Sequence, residues 1–116
     1  MTQRLDVHVD ESSEAMAQRF IDAWHRAERG EVVDEHHLSF ESWAGLAKVL
    51  TPRRLELLRH LRRQPVPSIA ALARALGRDY KRVHADVEAL AAAGLIDRAP
   101  TGLRADYDEI RASIAV

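Results

Sequence analysis

Two glycines limit what this chain can build between Ser68 and Arg104. Ser68 is a good N-cap, and Ile69, Leu72 and Leu76 follow at the i, i+3, i+7 spacing that puts three apolar side chains on one helical face. Gly77 then stops the helix, because glycine enters the left-handed region without steric cost and lets the chain turn sharply through Arg78 to Asp79. The Asp79 carboxylate can cap a second helix, expected from about Tyr80 to Ala93, with Val83, Val87 and Leu90 as its buried stripe. Gly94 ends that helix in turn. Leu95-Ile96-Asp97-Arg98 and Leu103-Arg104-Ala105-Asp106 read as short strands joined by Ala99-Pro100-Thr101-Gly102, with Pro and Gly at the second and fourth turn positions.

Helix, tight turn, second helix and two-stranded ribbon is the layout of a winged helix-turn-helix. Upstream, Arg4 to Val9 alternates polar and apolar residues as a half-buried strand does. Ser12 or Ser13 caps a helix over Glu14 to Arg29 that places Met16, Phe20, Ile21, Trp24 and Ala27 on one face and stops at Gly30. His36 to Phe40 is a second strand candidate, and Ser42 caps a short helix through Trp43, Leu46, Val49 and Leu50. Thr51-Pro52 opens a further helix with Pro at the first helical position, Leu55, Leu58 and Leu61 as its apolar face, and Pro65 and Pro67 beyond its end. From Tyr107 to Val116 the apolar positions fit both periods, and strand is the expectation. The fold class expected is α+β and mainly helical: a winged helix-turn-helix over 51–116 with an acidic strand-helix-strand extension over 1–50.

The net charge of −1 conceals an uneven distribution. Residues 1–50 carry 5 Lys/Arg against 10 Asp/Glu, and residues 51–116 carry 12 against 8. Between Arg53 and Arg82 nine basic residues face only Glu56 and Asp79, the kind of surplus that phosphate binding needs for counterion release. A second helix entering the major groove would present Tyr80, Lys81, Arg82 and His84 to base edges. Arg78 in the turn, and Arg98 and Arg104 flanking the ribbon turn, are placed for phosphate or the adjacent minor groove. Tyr80 also reads as a packing residue at the helix start, Arg98 and Arg104 as a solvated ribbon, and Glu88 as a residue facing away from DNA.

No enzyme is expected: no HExxH, phosphate-cradling loop or nucleophile elbow occurs, and the absence of cysteine removes thiol catalysis, disulfides and Cys-ligated metal. His36-His37 beside Asp34 and Glu35 supplies ligand types, yet neighbours on a strand point to opposite faces and chelate one ion poorly, so no metal or cofactor is expected. His25 and His60 read as solvated helix residues and His8 as an exposed strand residue. Trp24, sharing a face with Met16 and Phe20, is expected in core or subunit packing. No segment approaches the length of a membrane span, and a soluble, cytoplasmic chain is the expectation.

Phe40-Glu41-Ser42-Trp43, Leu50-Thr51-Pro52-Arg53-Arg54-Leu55-Glu56-Leu57-Leu58, Leu76-Gly77-Arg78-Asp79-Tyr80-Lys81-Arg82-Val83-His84 and Gly94-Leu95-Ile96 resemble small prokaryotic winged helix-turn-helix proteins described as DNA-binding or antitoxin-like regulators. More distantly, Thr51 to Arg104 resembles the MarR-like regulators. The resemblance implies a sequence-specific, often dimeric repressor of its own operon, in some cases the antidote to a small toxin. The dimer or partner surface is expected within residues 1–50, on the apolar face of the Glu14–Arg29 helix at Met16, Phe20 and Trp24 or on the Arg4–Val9 strand; here the chain departs from MarR-like proteins, which dimerise through long helices flanking the winged domain, since it offers one such helix and two short strands. The competing expectation is a protein-interaction module on the same scaffold, without specific DNA binding. A ligand sensor is a third class, for which the sequence offers no pocket.

Overall fold

A computed structural model describes residues 3–33 and 35–116 as an α+β protein, about half helical. Its elements run β1 (Arg4–Val9), α1 (Ser13–Glu28), β2 (His36–Phe40), α2 (Trp43–Val49), α3 (Pro52–Arg63), α4 (Ile69–Leu76), α5 (Tyr80–Ala92), β3 (Asp97–Ala99), β4 (Gly102–Arg104) and β5 (Glu109–Ile114). Each helix starts where a short polar side chain accepts an otherwise unpaired backbone N–H: Ser12 from Ala15, Ser42 from Gly45, Thr51 from Arg54, Ser68 from Ala71 and Asp79 from Arg82. Such a cap is worth about 1 kcal/mol, enough to fix a helix start but not to hold the helix. Burial does that.

Three strands form an all-parallel sheet in the order β2-β1-β5. The register sets Leu5, Val7 and Val9 beside Leu38, Phe40 and Ile110, and this apolar face joins Leu57, Leu61, Leu72, Val83, Val87 and Leu90 in one continuous core. Residues 109–114 thus complete a sheet whose other strands come from residues 4–9 and 36–40. One core serves the acidic and the basic segments together.

The opposite face of the sheet is polar, and α1 is tied to it by charge. Arg19 donates to Glu11 at 2.6 Å, Glu11 lies 3.4 Å from His8 Nδ1, His8 Nε2 meets His37 Nδ1 at 2.8 Å, and His37 reaches Glu35, which pairs with Arg26 at 2.7 Å. The least exposed positions of α1 are Arg19, Ala23 and Arg26, at i, i+4, i+7. At 100° per residue the Met16, Phe20, Trp24, Ala27 stripe lies about a quarter turn away, in solvent. No residue of α1 is buried, and Phe20 and Trp24 are 69% and 59% exposed. The expectation of core packing for Trp24 is therefore corrected: the core is closed by α3, α4 and α5 without it. A helix standing off the body fits the radius of gyration, 16.0 Å against the roughly 13 Å of a compact chain this long.

Four further expectations change. The buried face of α3 is Leu57, Leu58 and Leu61, while Leu55 is only partly covered. Leu95 and Ile96 are buried but precede the ribbon, which spans only Asp97–Ala99 and Gly102–Arg104. His8 is covered by Glu11 and His37 rather than exposed, and His60 has a buried Nε2 rather than a solvated ring.

Burial and then the Arg19 charge hold the His8 pKa below its ordinary value. In the His8–His37 hydrogen bond one ring nitrogen donates and the other accepts. The unfolded chain protonates His8 near pH 6.5, the folded chain only at lower pH; the unfolded state thus holds more protons, and stability falls as pH drops below about 6.5 through the folded value. A lower urea midpoint at pH 5 than at pH 7.5 is expected, with a smaller drop in His8→Asn. Equal drops in the two proteins would show that His8 is not the group responsible.

Candidate nucleic-acid interface

Helices α4 and α5 meet at a turn built on Gly77, whose φ of 64° and ψ of 36° lie in the left-handed region. Arg78 follows, its side chain only 13% exposed, donating to Glu56 at 2.6 Å and to the Arg53 carbonyl at 3.1 Å. Both contacts fasten the turn to the start of α3. Arg54 does the same for α5, donating to Asp86 at 2.9 Å and to the carbonyls of Lys48 and Val49. Arg54 and Asp86 are both mostly covered, so this ion pair is better shielded from water than those at the surface.

On this support the first turn of α5 points Tyr80, Lys81 and Arg82 outward, all three exposed, while Val83 faces the core. Among the described residues neither Lys81 nor Arg82 has a carboxylate partner, in a protein where most arginines do have one. Tyr80 is half exposed, its ring 5.9 Å from that of His84. His84 is also exposed and lies 3.8 Å from Glu88, one turn along. Glu88 therefore shares the His84 side of α5 instead of facing away, and it accepts from Arg98 of β3 at 2.8 Å. Arg104 of β4 is held between Asp97 and Asp106. Unmatched positive charge thus lies at the start of α5, and exposed Arg53 and Arg74 on α3 and α4 also lack a carboxylate partner among the described residues, whereas Arg78, Arg98 and Arg104 are already paired.

The ribbon is seated by a contact that the sequence does not announce. Val66, between the two prolines, exchanges backbone hydrogen bonds with Leu103 at 3.1 and 2.8 Å. The α3–α4 linker thereby holds β4, which also packs against α3.

Histidine chemistry divides as expected for neighbours on a strand: the His36 ring packs edge-on against Tyr107, 5.4 Å between centroids, while His37 faces His8. Asp34, the other candidate ligand there, lies outside the described residues. Among the described residues no three His, Asp or Glu side chains are placed to share a metal ion.

These features define a small α+β protein with a paired, rigid helical support under an exposed cationic helix start. The chain belongs to the HVO_A0114 family, whose model matches residues 49–112, a span that takes in α3, α4, α5, the ribbon and most of β5. No curated protein and no solved structure matches it.

Proposed function

We propose that the protein is a winged helix-turn-helix that binds double-stranded DNA sequence-specifically, with α5 as its recognition helix, β3-β4 as its wing, and regulation of transcription as its role. The observation that carries this reading is the pair of unmatched cations, Lys81 and Arg82, at the N-terminal turn of α5, a position from which side chains reach base edges in the major groove. Carboxylates already occupy Arg98 and Arg104, so the wing contributes steering and phosphate contact only by exchanging Glu88, Asp97 or Asp106 for phosphate. The test is selection of duplexes from a random pool by the full chain, followed by titration of the selected and scrambled duplexes. A selected site bound 10³-fold or more above the scramble, the usual order for specific binders, supports the proposal; equal, salt-insensitive binding removes it.

The reading extends to a two-fold dimer through α1. Phe20 and Trp24 leave a large apolar surface in water, which in a protein of this size marks an interaction site. Phe20→Glu with Trp24→Glu is expected to yield monomers by light scattering and to lower affinity for a two-half-site operator on the order of 10²-fold while leaving half-site binding intact. A wild-type chain that is monomeric at tens of micromolar would transfer this surface to a different partner. That alternative is the protein-interaction module; the antitoxin role and autorepression rest on the family resemblance of the sequence alone. Among the described residues no helix is long and apolar enough to cross a membrane. A cytoplasmic location belongs to the DNA-binding proposal.

A further inference from the structure

Helix α3 carries a second basic cluster near its C-terminal end, ten residues and so about 15 Å from Arg53, and it borders a cleft rather than a flat surface. The cleft encloses about 350 Å³ between α3 and the segment that leads from the ribbon into β5. Its apolar lining includes Leu55, Leu58, Tyr107 and Ile110, and its cationic lining is Arg59, Arg62 and Arg63. Leu55 and Ile110 are only partly buried although both belong to apolar faces that close the core elsewhere. Asp108 neutralises Arg62 at 2.6 Å, and Glu109, which also lines the cleft, pairs with Arg111 at 2.7 Å. Among the described residues Arg59 and Arg63 have no carboxylate partner.

An apolar cavity edged by two unmatched guanidinium groups is complementary to one chemistry: an anionic head that accepts charge-assisted hydrogen bonds, on a body that displaces water from the leucines. We propose that this cleft binds a small organic anion, a carboxylate on an aromatic or short aliphatic body, with Arg59 and Arg63 holding the carboxylate and Leu55, Leu58, Tyr107 and Ile110 covering the body. Cations in the last turn of α3 also offset its helix dipole, but that role requires no open apolar surface beside them. Because one wall is α3 and the other leads into β5, an occupant bridges the helical unit and the sheet and raises the melting temperature of the chain.

The site is testable without DNA, so its fate is independent of the DNA-binding proposal. The probe is 2-naphthoate, with neutral 2-naphthamide as its matched control, each titrated into the full chain by calorimetry and by NMR. Saturable naphthoate binding is expected, with shifts centred on Tyr107 and Ile110 and a rise in melting temperature. The amide should bind roughly tenfold or more weakly. R59Q combined with R63Q should lower naphthoate affinity by a similar factor and leave the amide unchanged; both positions are exposed, so folding is preserved. Equal binding of acid and amide, shifts centred on Phe20 and Trp24 instead, or no binding at millimolar naphthoate would each overturn the proposal.

Discussion

Gly102→Ala should destabilise the protein far more than Gly77→Ala, although both glycines sit at positive φ. At Gly77, with φ of 64°, an added Cβ meets nothing, so the cost is the left-handed backbone alone, about 1 kcal/mol. At Gly102, with φ of 140°, the same Cβ runs into the Val66 carbonyl oxygen and comes within 2.9 Å of the Pro67 Cα. Both obstacles are backbone. The ribbon must then leave the Val66 bridge, giving up two backbone hydrogen bonds and exposing buried Val66 and Leu103. A loss of roughly 3 kcal/mol or more is expected, read as a lower urea midpoint at unchanged slope. Equal midpoints for the two variants would mean that the linker does not hold the ribbon.

The other large effect concerns binding. Lys81→Ala and Arg82→Ala are each expected to weaken a selected site by about 1–3 kcal/mol where the side chain reads a base, so the double variant should lose on the order of 10²–10⁴ in affinity. Stability should hardly change, since both residues lie off the Val83, Val87, Leu90 stripe and neither carries an ion pair among the described residues. Arg78→Ala is a different experiment. It removes the tie from the turn to Glu56 and Arg53, so its effect on binding would be accompanied by lost stability and could not be read as a phosphate contact alone.

Local signals in the sequence located the elements well. Ser42, Thr51, Ser68 and Asp79 each cap a helix as expected because capping depends on residues three apart, and Gly77 takes the conformation that its position between two helices requires. Contacts between distant residues were not legible. Gly102 reads as an ordinary turn glycine, and nothing near it in sequence announces the Val66 carbonyl. The α1 apolar stripe was visible, but only the charge chain from Arg19 through His8 and His37 to Arg26 shows that the helix turns arginines toward the sheet and leaves that stripe in water. Leu55 and Leu57 are equally apolar in sequence, and which one is buried depends on how α3 meets the shared core. The basic run was legible as charge; which cations are free depended on Glu56, Asp86 and Asp108, up to 46 residues away from their partners.

DNA binding by the unmatched cations at the start of α5 is what the proposed function requires. The measurement that bears on it most directly is the salt dependence of affinity for one selected duplex, compared between the native chain and the Lys81→Ala/Arg82→Ala variant. The native protein should lose affinity linearly in log salt concentration. The variant should bind more weakly throughout, with a slope shallower by about 1 for each replaced residue that contacted phosphate and unchanged for one that read a base. Identical affinities for the two proteins at every salt concentration, or native binding indifferent to salt, would contradict it.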